Sequence, residues 1–247
     1  EDPKKVGACD VILFCVKTIS NKSLIPAMAP MVGENTTIIN LQNGIDNEKQ
    51  IADIYGEEKV MGGSAYIFTS VTSPGGISQI GGPRKLVFGE LKGQITDRSQ
   101  KILDVMKTAK INAYLSENIE KELWTKFIFI CAVGGMTALT RSPIGEIMEY
   151  EGTKNMIRSM MKEVYDVSNA KEINLPLGTD QDRFDFIQEQ DPLSKGSLCH
   201  DLEAGKKTEI DSLCGIVSKL GKEYGISTPI NDLVFHTIKF HEHTKLI

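Results

Sequence analysis

One lysine sits inside the apolar run NIEKELWTKFIFICAVGGMTAL, residues 118–139. Asn118 can cap a helix, and Glu120 and Glu122 suit its first turn, where the helix dipole favours carboxylates. Ile119, Leu123, Phe127 and Ile130 then recur at helical spacing. Lys126 follows the only tryptophan by two residues and opens the oiliest part of the run. An ammonium in that place has two uses. It can snorkel, burying its methylenes and keeping its charge in water. Partly buried in a cleft, it can instead have its pKa drawn towards the working pH and serve as a proton donor.

Two more polar residues close apolar strands. Lys17 ends LFCVK and Asn43 ends INLQN. Alone, each has an ordinary explanation: a strand-end lysine faces solvent, and Asn-Gly is a common turn. Together they lie at equivalent ends of successive strands, and open parallel sheets bind ligands at their carboxyl ends. The elements that position them can be read from pattern. DVILFCVK (10–17) is a short apolar strand of the fully buried kind. NKSLIPAMAPMVGE reads as helical, TTIINLQNG (36–44) as a second buried strand, NEKQIADIYGEE as a helix and KVMGGSAYIF (59–68) as a third strand. This alternation predicts parallel βαβ units. Turn glycines around GISQIG and KLVFGEL predict a hairpin within Gly75–Glu90, and INAYLSE is a last strand. Beyond residue 117 the chain reads as helical, with loops near Arg141–Pro143, Asn174–Gly178 and Gly225–Pro229. The expected architecture is α/β: an incomplete Rossmann-like parallel sheet over 1–117, followed by an all-helical domain over 118–247.

Composition narrows the function classes. The 247 residues carry a formal net charge of −5, with both signs dispersed. No basic block points to nucleic acid and no polybasic helix to a membrane surface. The longest apolar run, near Phe127–Met136, is too short to span a bilayer, and no signal peptide is visible. Five cysteines form no CxxC pair, which suits a reducing cytoplasm. Cys15 and Cys131 read as small core residues. The HEH at 241–243 lacks a nearby third ligand and reads as a solvated tail, so no metal is expected. The glycine pairs at 62–63, 75–76 and 81–82 do not open a helix after a strand, so no phosphate-cradling GxGxxG turn is present in this stretch.

CVKT, LQNG, ELWTKF and KKTEIDSLCG, in that order and with GISTPINDLV near the end, resemble the ketopantoate reductase family over about residues 9 to 240. The resemblance implies an N-terminal Rossmann domain, a helical C-terminal domain and an active site in the cleft between. It implies NADPH-dependent reduction of 2-dehydropantoate to pantoate, on the cytoplasmic route to pantothenate. By position, Lys126 matches the family's catalytic lysine. Lys17 matches a lysine at the nicotinamide end of the cofactor, and Asn43 an asparagine touching cofactor and substrate. Glu209 matches a glutamate that helps hold both ligands and the lysine. Ser197 opens a matching substrate-binding segment that runs to His200. Without the resemblance, Glu209 beside Lys206 and Lys207 would read as a solvated helix residue.

The sequence also departs from the family. Asparagines expected one and two turns after the lysine are Ile130 and Gly134, and a third is Ile144. Losing three amides removes hydrogen bonds that would orient a hydroxylated acid, which favours a less polar 2-oxo acid or ketone as substrate. Relative to a full Rossmann half, roughly sixty leading residues with the glycine-rich turn are missing. The chain by itself is therefore expected to bind NADPH poorly, and the determinants of NADP against NAD are not in it. Two other classes compete: a non-catalytic relative that kept the cleft, and another two-domain dehydrogenase such as one acting on 3-hydroxy acids. Lys126, Asn43 and Glu209 weigh against the first, and TEID against the second. The expected partner is a small 2-oxo acid, and a homodimer is compatible with the sequence.

Overall fold

The computed structural model describes residues 2–244, without the side chain of Ile80. The chain divides into two compact units, Glu1–Gln42 with Asn47–Leu123, and Asn43–Asp46 with Trp124–Ile247.

The first unit holds a five-stranded sheet in the order β1 (Cys9–Phe14), β2 (Val32–Asn40), β3 (Val60–Ser73), β4 (Gly76–Glu90), β5 (Ala113–Leu115). Pairs β1–β2, β2–β3 and β4–β5 are parallel, and β3–β4 is antiparallel. Alternation along each strand sends neighbours to opposite faces. Ile38 of β2 packs with Ile12, Phe14, Ile25 and Ile51, beneath helices α1 (Asn21–Ala27) and α2 (Asn47–Tyr55). Ile39, its neighbour, packs with Met61, Phe88, Ile102, Leu103 and Met106 under α3 (Asp97–Thr108). α3 is fixed at its start by a reciprocal cap: Ser99 N–H donates to Thr96 Oγ1 (3.2 Å) and Thr96 N–H to Ser99 Oγ (2.9 Å).

Four expectations need correction. β1 is not fully buried: it lies at the sheet edge, with Ile12 and Phe14 inward but Val11 38% and Leu13 48% exposed. Cys15, just beyond it, is exposed too and is no core residue. The helix expected through residue 34 stops at Ala27, because Pro26 and Pro30 supply no N–H. A single 3₁₀ turn, Ala29–Met31, leads directly into β2. Residues 76–90 form one strand rather than a hairpin, and the turn lies at Ser73–Gly76, with Gly75 at φ +77°. The glycines that suggested a turn make a bulge, because Gly82, Pro83 and Arg84 together face Ile67 of β3.

The second unit is helical: α4 (Ile119–Thr140, whose first turn belongs to the first unit), α5 (Ile144–Glu149), α6 (Glu151–Ala170), α7 (Thr179–Asp185), α8 (Ser197–Glu203), α9 (Cys214–Tyr224) and α10 (Pro229–Thr244). Its core gathers Phe127, Ile128 and Cys131 of α4 with Met160 and Val164 of α6, Val217 of α9 and Val234 of α10. Cys131 is buried there as expected. Loops separate these helices near 141–143, 174–178 and 225–229 as expected, except that Pro229 already begins α10. HEH is not a solvated tail. It forms part of α10, and Glu242 accepts hydrogen bonds from Thr208 N–H (2.9 Å) and Oγ1 (2.7 Å).

Candidate active site

Helix α4 is capped as its sequence suggests, with Lys121 N–H donating to Asn118 Oδ1 at 3.1 Å. Trp124 and Phe127 are both buried, which sets the rotation of the helix, and their rings meet edge to face at 5.8 Å between centroids. That rotation leaves Lys126 half-buried between them in sequence. Burial disfavours the ammonium and lowers the Lys126 pKa from 10.5 to about 8. The group therefore holds a proton at neutral pH and gives it up easily. A merely snorkelling lysine would keep its head in water and its ordinary acidity.

Ile130 and Gly134 follow Lys126 at successive i+4 positions and share its side of the helix. Ile130 is half-buried and packs at the margin of the core. Gly134 is buried where the loop before α8 meets α4, and a Cβ on Gly196 would come within 2.7 Å of Gly134 Cα. The loop is held there by Gly196 N–H donating to Thr137 Oγ1 (3.1 Å), which itself donates to Val133 O (2.7 Å). Ser197, the first residue of α8, is exposed beside this contact. Ile144 lies in the core, with its N–H donating to Ser194 O at 2.9 Å.

Glu209 is half-buried and precedes the 3₁₀ turn Ile210–Ser212. Its neighbours anchor it from both sides: Thr208 through Glu242, and Asp211 through Lys239 Nζ at 3.0 Å. Asn43 is half-buried and belongs to the helical unit, as does Ile45, which packs on the helical core. Gly44, at φ +121°, turns the chain there.

Lys17 belongs to the first unit and is exposed after β1, one residue before a 3₁₀ turn. Sequence reasoning missed the amide network beside it. Gln42 Nε2 donates to Val16 O and to Asn21 Oδ1, both at 2.7 Å. Asn21 Nδ2 donates to Asn47 Oδ1 (3.0 Å) and Gln50 Oε1 (3.1 Å), and Asn40 Nδ2 donates to Glu48 Oε1 (2.7 Å). The available signal was the density of amides in INLQNGIDNEKQ, where a turn alone needs fewer. The network fastens the Lys17 loop to the carboxyl end of β2. It leaves buried Gln42 Oε1 without a hydrogen-bond partner among the described residues. An acceptor at that end of the sheet fits a carboxamide or ribose donor, and the Lys17 ammonium fits a phosphate. The residues present therefore suit a nicotinamide nucleotide.

A sheet with polar groups at the carboxyl ends of its parallel strands, joined to a helical unit that buries a lysine, defines an α/β dehydrogenase-like protein. Family models agree: "Ketopantoate reductase PanE/ApbA" matches residues 1–93, and "Ketopantoate reductase PanE/ApbA C terminal" matches 118–242. The chain belongs to the ketopantoate reductase family and is an oxidoreductase by that kinship. It is 30% identical over 240 residues to the 2-dehydropantoate 2-reductase of Aquifex aeolicus (strain VF5), covering 94% of this chain and 76% of that protein. The crystal structure of a PanE/ApbA family ketopantoate reductase from Ralstonia eutropha JMP134 matches with a TM-score of 0.90 at 28% identity, covering 100% of this chain and 80% of that one. A D-mandelate dehydrogenase in ternary complex with NADH and anilino(oxo)acetate shares the fold, with a TM-score of 0.88 at 20% identity and coverage of 97% and 78%.

Proposed function

We propose that this protein reduces a 2-oxo acid to the 2-hydroxy acid with NADPH, in the cytoplasm, and that Lys126 is the proton donor. The observation that supports it most is the half-buried Lys126 on α4, whose ammonium is acidified to about 8 in a chain of reductase kinship. A nicotinamide cofactor, when bound, supplies the hydride. In this reading Lys17, Asn43 and Glu209 hold the cofactor, and Asn43, Ser197 and Glu209 hold the acid. Lys126 hydrogen-bonds the carbonyl oxygen, stabilises charge as it develops there and transfers its proton to that oxygen. The carbonyl carbon becomes a secondary alcohol, and the neutral lysine is reprotonated from solvent.

2-Dehydropantoate is the first substrate to test, on the pantothenate route named by the resemblance. One observation favours a less polar acid: one turn on from Lys126, the same side of α4 presents Ile130 rather than an amide, and Gly134 beyond it is covered by Gly196. Such a surface returns no hydrogen bond to a substrate hydroxyl, and unpaired polar groups are strongly disfavoured in a closed site. The test is kcat/KM with NADPH and with NADH across 2-dehydropantoate, a branched aliphatic 2-oxo acid and an aryl 2-oxo acid. Preference for an apolar acid supports the second reading, and preference for 2-dehydropantoate rejects it. No turnover of any 2-oxo acid by protein shown to bind the cofactor rejects both.

A further inference from the structure

Residues 204–209 run between α8 and the 3₁₀ turn Ile210–Ser212 with no helix or strand of their own, so other bonds must fix Glu209. Thr208, just before it, is buried and gives both its donors to one carboxylate of α10. Its N–H donates to Glu242 Oε1 at 2.9 Å, and its hydroxyl to the same oxygen at 2.7 Å. That hydroxyl also accepts from Ile210 N–H at 3.4 Å. The Ile210 N–H belongs to the peptide that follows Glu209. The carbonyl of that peptide, Glu209 O, accepts from Ser212 N–H at 3.0 Å. Both polar groups of the peptide after Glu209 are thus satisfied, and one of them leads through Thr208 to Glu242. The Ile210 side chain is buried in the helical core.

α10 offers a second anchor. Lys239 reaches past Glu209 to Asp211 Oδ2 at 3.0 Å and stands 3.2 Å from Glu242 Oε2. The two anchors are unequal. Lys239 and Asp211 are 40% and 60% exposed, and pairs so open to water contribute little. Glu242 is only 15% exposed, and hydrogen bonds to an ionised acceptor are roughly twice as strong as neutral ones. Without it, the N–H and hydroxyl of Thr208 would be buried with neither this acceptor nor water. Burial raises the Glu242 pKa, but the bonds from Thr208 and Lys239 outweigh it and hold the carboxyl below 4.5. Glu242 also lies in the last turn of α10, where the helix dipole disfavours a carboxylate. Its position is unfavourable for its own helix and is explained by the segment it holds.

From this we infer that Glu242 is a positioning residue for the reaction: it fixes the backbone on both sides of Glu209, and so the place of the Glu209 carboxylate, and acts on the ligands only through it. The inference rests on the reading of Glu209 as a residue that holds substrate and cofactor. A displacement of about 1 Å in a group that orients a substrate can lower the rate by about 10²-fold, so an anchor of this kind controls turnover without meeting the ligands.

The test is a double-mutant cycle on kcat/KM, for the 2-oxo acid that the wild type turns over best, with Glu242→Ala, Glu209→Ala and the two combined. Glu242→Ala should lower kcat/KM by about 10²-fold in the wild-type background. In the Glu209→Ala background it should lower it by less than about twofold, because no carboxylate is left to place. Glu242→Gln keeps an oxygen for Thr208 and should recover most of the loss. Hydrogen exchange should quicken at the amides of Thr208 and Ile210 in Glu242→Ala while α10 stays protected. Thr208→Val, which removes the hydroxyl at the other end of the same bond, carries the same cycle if Glu242→Ala does not fold. Losses that multiply in the double variant overturn the inference and leave the reading of Glu209 intact. So does a Glu242→Ala protein with wild-type kcat/KM or with unchanged exchange at Thr208 and Ile210. A Glu209→Ala protein as active as wild type, or a cofactor-bound wild type that turns over no 2-oxo acid, overturns the reading of Glu209 and the inference with it.

Discussion

Gly196 lies so close to Gly134 that a Cβ on it would stand 2.7 Å from the Gly134 Cα. The reverse does not hold: a Cβ on Gly134 would meet only Leu198 Cβ, at an ordinary 3.9 Å. Gly196 has φ −67°, so alanine there is unstrained in itself and the contact alone decides the outcome. Gly196→Ala should push the loop off α4, stretch its bond to Thr137 and cost about 1–3 kcal/mol. Gly134→Ala should be neutral or stabilise by up to about 1 kcal/mol, because glycine is a poor helix residue. Urea midpoints of the two variants test the asymmetry, and equal losses would contradict it.

Glu163 of α6 reaches across to start α10. Its Oε1 accepts from Ile230 N–H (3.0 Å), and its Oε2 from Asn231 N–H (3.0 Å) and Asn231 Nδ2 (2.7 Å). A buried carboxylate here takes the place of a local cap, because Pro229 opens the helix and the hydroxyl of Thr228 just before it is turned to Asp232 Oδ1 (3.1 Å). Glu163→Ala should cost about 2–4 kcal/mol, as three donors lose a charged acceptor. Glu163→Gln keeps one oxygen acceptor and should restore only part of the loss. The thermal midpoints of both variants measure this.

Glu90 and Arg98 form a partly buried ion pair in the first unit. Arg98 Nε donates to Glu90 Oε1 at 2.7 Å, Nη2 donates to Oε2, and Thr96 Oγ1 adds 2.6 Å. Burial alone would raise the Glu90 pKa, but these hydrogen bonds outweigh it and hold the carboxyl below 4.5. A carboxylate with a lowered folded pKa stabilises above its unfolded pKa, and that stabilisation is lost as pH falls through the folded value. Arg98→Ala leaves the burial without its partner. The cost should be about 1–3 kcal/mol at pH 7, less than for a fully enclosed pair because Arg98 is partly in water. The gap from wild type should narrow as pH falls through the lowered folded pKa of Glu90, where the carboxyl takes up its proton. A gap that is constant with pH would mean that the pair contributes through packing alone.

The legible parts of the molecule were those where one local pattern served one structure. Ile38 and Ile39 are both apolar because helices cover both faces of β2, and a continuous apolar run states that directly. Asn118 and the stripe from Ile119 to Ile130 likewise announced α4. The hairpin was misplaced because a bulge and a turn use the same residues: GGP at 81–83 suits either, and only pairing with β3 decides. The family resemblance named Lys126, but it did not disclose that Gly134 is occupied by packing against Gly196. That is a contact between distant segments, with no local signature.

Lys126 supplies the decisive chemical test. As a proton donor it must be protonated, so kcat should fall above a pH of about 8, its lowered pKa. Lys126→Ala should reduce kcat by about 10²–10⁴-fold and abolish that alkaline limb. Its effect on stability has the opposite sense to that of a lysine whose pKa is raised on folding. The folded pKa lies below the unfolded 10.5, so the folded protein binds fewer protons between about 8 and 10.5, and stability attributable to this group rises across that window. Below about 8 the half-buried charge is a cost. Lys126→Met, which keeps the apolar stem, should therefore be at least as stable as wild type at pH 7, with the difference shrinking as pH passes from about 8 to 10.5. A snorkelling lysine predicts otherwise: near-normal kcat, no alkaline limb, and a loss of stability in Lys126→Ala through missing stem contacts that Lys126→Met restores. Turnover and thermal midpoint measured across pH on the same preparations separate the two. An active, destabilised Lys126→Ala would withdraw the catalytic assignment.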